Sequence, residues 1–98
     1  MKITKCQKDN ALTIALEGRL DTLTAPELDK EFAQSLGSAE ELTLDFAELD
    51  YISSAGLRVL VSANRIMSAK GGMKIINASE LVREVFEVTG FATILNIE

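Results

Sequence analysis

The chain has 98 residues, of which 47% are hydrophobic and 26% charged, with a single proline; that is one domain with enough apolar side chains for its own core, and it excludes a disordered tract. No apolar run approaches the roughly 18 residues of a membrane span, and Met1-Lys2-Ile3-Thr4-Lys5 leads into no secretory h-region. A net charge of −5 argues against nucleic acid or an anionic membrane as partner, and the lack of any histidine removes the usual general base, zinc ligand and triad organiser.

Leu12, Ile14 and Leu16 alternate with Thr13, Ala15 and Glu17, which predicts a half-buried strand. Ile3 to Gln7 is its expected hairpin partner, joined through Lys8-Asp9-Asn10, where Asp and Asn suit a turn. Cys6 is the only cysteine, so no intramolecular disulfide can form; this fits a reducing compartment, with Cys6 as a small apolar strand residue. A cytoplasmic location follows as the expectation.

Thr24-Ala25-Pro26-Glu27 reads as a helix start, with Thr24 capping, Glu27 closing a capping box and Pro26 in the first turn. Leu28, Phe32 and Leu36 form its apolar face, and Gly37 is the expected stop. Leu42, Leu44 and Phe46 alternate with Thr43 and Asp45 in a second strand. After Ala47-Glu48-Leu49-Asp50-Tyr51-Ile52 comes the turn Ser53-Ser54-Ala55-Gly56 and a helix apolar around most of its circumference, from Leu57, Val59, Leu60 and Val61 to Ala63, Ile66 and Met67. Arg58, Ser62 and Arg65 mark its polar stripe, and Gly71-Gly72 ends it. Met73 to Ile76 is the next strand; Ser79 caps a third helix with Leu81, Val82, Val85 and Phe86 inward, ending near Gly90; Ala92 to Ile97 is a last strand.

Strands alternating with helices imply right-handed crossovers and parallel pairing in mid-sheet, and the hairpin makes the sheet mixed. The expected class is therefore α/β, with a mixed four- to five-stranded sheet. Sites in such sheets form at the carboxyl ends of the strands, and two loops qualify, Arg19 to Thr24 and Asp50 to Gly56.

The serine turn admits two readings. One hydroxyl is a helix cap, and a second, adjacent one is then free to face solvent. Gly56 in the first helical turn implies either a close approach to the backbone by something outside or packing against the sheet. A nucleophilic serine lacks a base beyond the weak carboxylates Asp21, Asp45 and Asp50, and a phosphate cradle lacks glycines and a lysine, so no cofactor is expected. A hydroxyl at a helix N-terminus does suit phosphorylation, because the dianion faces the positive end of the helix dipole.

The stretch Leu44-Asp45-Phe46…Tyr51-Ile52-Ser53-Ser54-Ala55-Gly56-Leu57-Arg58-Val59-Leu60 resembles the signature of STAS domains, in particular single-domain bacterial anti-sigma factor antagonists. Gly18-Arg19-Leu20-Asp21…Thr24-Ala25 matches the family's second marked loop, and the resemblance covers essentially the whole chain. It implies helices packed mainly on one face of the sheet and a role in partner switching. In that scheme the unphosphorylated protein binds an anti-sigma factor that is itself a serine/threonine kinase, the kinase phosphorylates a serine and is released, and a serine phosphatase resets the cycle. The acceptor lies two residues before the glycine, at Ser54, with Asp21 beside it; Thr24, Ser53, Gly56, Leu57 and Arg58 complete the implied partner surface. Two positions depart from the pattern: Ser53 stands where the family usually has Asp, making it a cap or a minor acceptor, and Arg19 replaces an acidic residue. Alternatives are a STAS subunit of a membrane (lipid) transport complex, binding constitutively through the same surface, and a small enzyme with Ser54 as nucleophile. Monomer is the default state.

Overall fold

A computed structural model describes all residues, Met1–Glu98. Strand β1 (Lys2–Lys8) turns through Asp9, at φ 57°, into β2 (Ala11–Leu20); α1 (Ala25–Ser35), β3 (Glu41–Ile52), α2 (Ser54–Ser68), β4 (Met73–Ile76) and α3 (Glu80–Val88) follow, with 3₁₀ turns at Leu36–Ser38 and Phe91–Thr93. The sheet order is β1-β2-β3-β4, with β1 antiparallel to β2 and the other pairs parallel. This is the mixed α/β sheet expected, with four strands.

Period-two patterning decides which face of the sheet is covered. Leu12, Ile14, Leu16, Leu42, Leu44, Phe46, Met73 and Ile75 are all buried, and the helices lie over them. Their neighbours Thr13, Ala15, Thr43 and Asp45 are half-exposed and Lys74 is exposed, so the other face meets solvent. Cys6 pairs with Thr13 on that open face and is exposed, not packed as a small apolar residue would be.

Several local expectations are corrected. Residues 47–52, read as a connection, continue β3: between the Ala15–Asp45 and Leu20–Ile52 pairs, β2 advances five residues while β3 advances seven, through two register shifts. These bulges put Phe46, Leu49 and Ile52 on the buried face at a spacing of three, which hides the strand from a period-two reading. The expected last strand, Ala92–Ile97, is instead a 3₁₀ turn after Gly90 (φ 81°) that reaches the sheet only through an Ile75–Ile97 bridge. That bridge is closed by Ile75 N–H to the Asn96 carbonyl and Glu98 N–H to the Ile75 carbonyl, both 2.9 Å, and Arg83 holds the Glu98 carbonyl at 2.6 Å.

Gly37 is no helix stop, because α1 runs on into the 3₁₀ turn that contains it. The carbonyls there also accept from the Lys70 ammonium, which donates to Leu36 at 2.8 Å, Ala39 at 3.0 Å and Gly37 at 3.4 Å. In α3 the buried pair is Val82 and Phe86, one turn apart, while Leu81 faces solvent at 55% exposure. In α2 Leu57, Leu60, Ala63 and Met67 form the buried stripe and Ile66 lies outside it, half-exposed.

Candidate functional site

β2 and β3 are parallel, so both carboxyl ends, and the loops that leave them, lie at one pole of the molecule. Leu20 and Ile52 pair at the ends of the strands, and the Ser53 N–H donates to the Leu20 carbonyl at 2.9 Å, which ties the two loops together. The convergence read from the sequence is thus a hydrogen-bonded junction.

The two serines have different surroundings. Ser53 is the N-cap of α2, with extended backbone (φ −103°, ψ 174°); its Oγ accepts from the Gly56 N–H at 3.4 Å and its carbonyl from the Leu57 N–H at 2.9 Å. Ser54 is the first helical residue and exposed, and no group of the protein hydrogen-bonds to its hydroxyl. The first amides of a helix have no partner within it, so those of Ser54 and Ala55 remain open beside that hydroxyl. No base hydrogen-bonds to the Ser54 hydroxyl, as activation of a nucleophile requires.

Gly56 and Leu57, two positions of the implied partner surface, do not lie on the exposed surface of the turn. Both are buried, and a Cβ on Gly56 would lie 2.6 Å from Leu20 Cγ and 3.1 Å from Ile52 Cγ1. The close approach that requires glycine comes from the protein's own core, so Gly56 and Leu57 support the turn from beneath. Arg58 is exposed, one turn beyond Ser54 on the same side of α2.

The β2–α1 loop is organised by Asp21. Its Oδ1 accepts from the Leu23 N–H at 3.0 Å and the Thr24 N–H at 3.1 Å, and its Oδ2 lies 3.6 Å from Arg19 Nε. Hydrogen bonds to the charged form hold the carboxyl below its ordinary pKa, that from the Thr24 amide contributing most, against partial desolvation. Thr24, expected to cap α1, makes no side-chain bond to the helix. Its hydroxyl accepts from the Asp21 N–H at 2.8 Å and donates to the Arg19 carbonyl at 2.8 Å, closing the loop on itself, and the capping box with Glu27 does not form. Arg19, noted only as a departure, lies 4.4 Å above the ring of Tyr51, its partner in register on β3.

One residue of this pole escaped the sequence reading. Leu23 is 86% exposed, more than any other large hydrophobic residue of the chain. Its position before the helix start, with Leu28 at the fourth helical position, is the pattern of a hydrophobic staple, which would bury both. Leu28 is fully buried without it.

Comparison with known proteins identifies the family. Residues 3–96 match the family model described as "Mlab, STAS domain". The "Putative anti-sigma factor antagonist BtrV" of Bordetella bronchiseptica is 37% identical over 99 residues, covering 99% of this chain and 85% of the relative. The anti-sigma-B factor antagonist of Bacillus subtilis is 27% identical, covering 93% of this chain and 84% of its own length. The solved fold of the Bacillus antagonist SpoIIAA superposes with a TM-score of 0.83 in its unphosphorylated form, at 19% identity over 99% of this chain and 88% of that one. For its phosphorylated form the score is 0.75, at 19% identity over 99% and 91%. The chain belongs to the STAS domain family, among the relatives named anti-sigma factor antagonists.

Proposed function

We propose that the protein is an anti-sigma factor antagonist that switches partners through phosphorylation of Ser54. The observation that carries this reading is the division of labour in the turn: Ser53 caps α2, and Ser54 is left exposed with an unengaged hydroxyl at the positive end of the helix. The partner is a serine/threonine kinase that is itself the anti-sigma factor. Ser54 Oγ attacks the γ-phosphorus of ATP, the bridging oxygen leaves with ADP, and the hydroxyl proton passes to a base on the kinase. The new group brings a charge of about −1.5 to −2 beside open amides, so the fold tolerates it while an acidic or apolar partner surface does not. A serine phosphatase would restore the binding form. The protein works in the cytoplasm as a monomer, with no cofactor of its own.

The test is phosphorylation by the purified host kinase with ATP, read by intact mass. One phosphate should appear on the wild type and none on Ser54→Ala, and Ser54→Asp should weaken kinase binding at least tenfold in calorimetry. An unchanged mass, or full phosphorylation of Ser54→Ala, would defeat the proposal. The alternative reading of the sequence is a STAS subunit of a membrane (lipid) transport complex. Such a subunit would use the same pole constitutively and would gain no phosphate.

A further inference from the structure

We infer that Leu23 is the apolar anchor by which the kinase holds this protein while it phosphorylates Ser54; the inference rests on the reading of Ser54 as phosphate acceptor. Leu23 is 86% exposed although its sequence position would let it staple onto Leu28, so its side chain is presented to solvent at the helix entry. The loop that presents it is closed by hydrogen bonds. Asp21 Oδ1 takes the Leu23 and Thr24 amides, the Asp21 carbonyl takes the Ala25 amide at 2.8 Å, and the Thr24 hydroxyl bridges Asp21 and Arg19. A side chain on such a loop loses little backbone freedom on docking, which is the condition for an efficient anchor.

The occupant follows from position. Leu23 is three residues beyond Leu20, whose carbonyl is bonded to Ser53, the neighbour of Ser54. At about 3.8 Å per residue its Cα lies within roughly 20 Å of that of Ser54. A standard interface of about 800 Å² per partner is roughly 30 Å across, wide enough for one partner to span both Ser54 and Leu23. The kinase therefore carries an apolar pocket beside its phosphoryl-transfer site. Burial of a leucine there contributes about tenfold or more to affinity.

The experiment uses the full chain, the purified host anti-sigma factor kinase and ATP. Leu23→Ala should raise the KM for the antagonist at least tenfold with kcat within twofold, Leu23→Met should restore most of the loss, and melting by circular dichroism should be unchanged because the residue is 86% exposed. Wild-type phosphorylation at Ser54 with an unaltered KM for Leu23→Ala would overturn the anchor and leave the phosphorylation reading intact. No phosphate on the wild type would overturn both. An unaltered KM, with sedimentation showing a wild-type dimer that Leu23→Ala dissociates, would assign Leu23 to self-association and overturn the inference.

Discussion

Gly56→Ala tests whether the serine turn is supported from the core. In an open helix this change stabilises by about 1 kcal/mol, because alanine has the higher helix propensity. Here the added methyl would meet Leu20 Cγ at 2.6 Å, Leu20 Cδ2 at 3.0 Å and Ile52 Cγ1 at 3.1 Å. Leu20 and Ile52 are buried, at 0% and 2% exposure, and Cγ is a branch point, not the free end of a side chain, so relief requires the strand ends to move. Overpacking of this kind costs about 2–3 kcal/mol, and subtracting the propensity gain leaves a net loss of about 1–2 kcal/mol. For a domain of this size that lowers Tm by about 5–15 °C in calorimetric melts. A second readout is local: displacement of Leu20 loosens the bond from the Ser53 amide to the Leu20 carbonyl, so that amide should exchange its hydrogen faster than in the wild type. A Tm equal to or above that of the wild type would show that the core yields freely, and the account of Gly56 as a packing glycine would be wrong.

Ser53→Ala should cost about 1 kcal/mol through loss of the cap on α2, while peptide mapping still finds the phosphate on Ser54; a migration of the phosphate, or no loss in chemical denaturation, would contradict the division between the two serines. Asp21 and Glu31 both titrate below their ordinary values when folded, Asp21 through the Thr24 amide foremost and Glu31 through the Ser35 hydroxyl. A lowered folded pKa means stability that is fully present above the unfolded value, near pH 4, and is lost as pH falls through the folded one. Asp21→Asn should therefore flatten the fall in Tm between about pH 4 and pH 2, and a fall as steep as that of the wild type would count against the loop hydrogen bonds as its source.

The strands β1 and β2, the first half of β3, β4 and the three helices were legible from residues 3–86 because each has a clean period or a clear stop. The chemistry of the turn was legible too, since two hydroxyls before an apolar helix leave one to spare. What the sequence could not convey depended on neighbours distant along the chain. The end of β3 was hidden because two bulges shift its buried residues from every second position to every third, and bulges exist only relative to a partner strand. Residues 92–97 carry strand-like composition, yet only Ile97 pairs with the sheet, because the turn at Gly90 redirects the chain. Thr24 has the local features of a cap, but the amide of Asp21 and the carbonyl of Arg19 engage its hydroxyl first. Leu23 matches a staple and remains outside, because Leu28 is already covered by the core.

At the serine turn the two levels meet. The sequence by itself determined that a spare hydroxyl stands at a helix start, since that follows from residue types three or four positions apart. Only the tertiary structure decided that Ser53 is the cap and Ser54 the free group. It also decided that Gly56 makes room for Leu20 and Ile52, since both outcomes depend on where β2 ends beside β3.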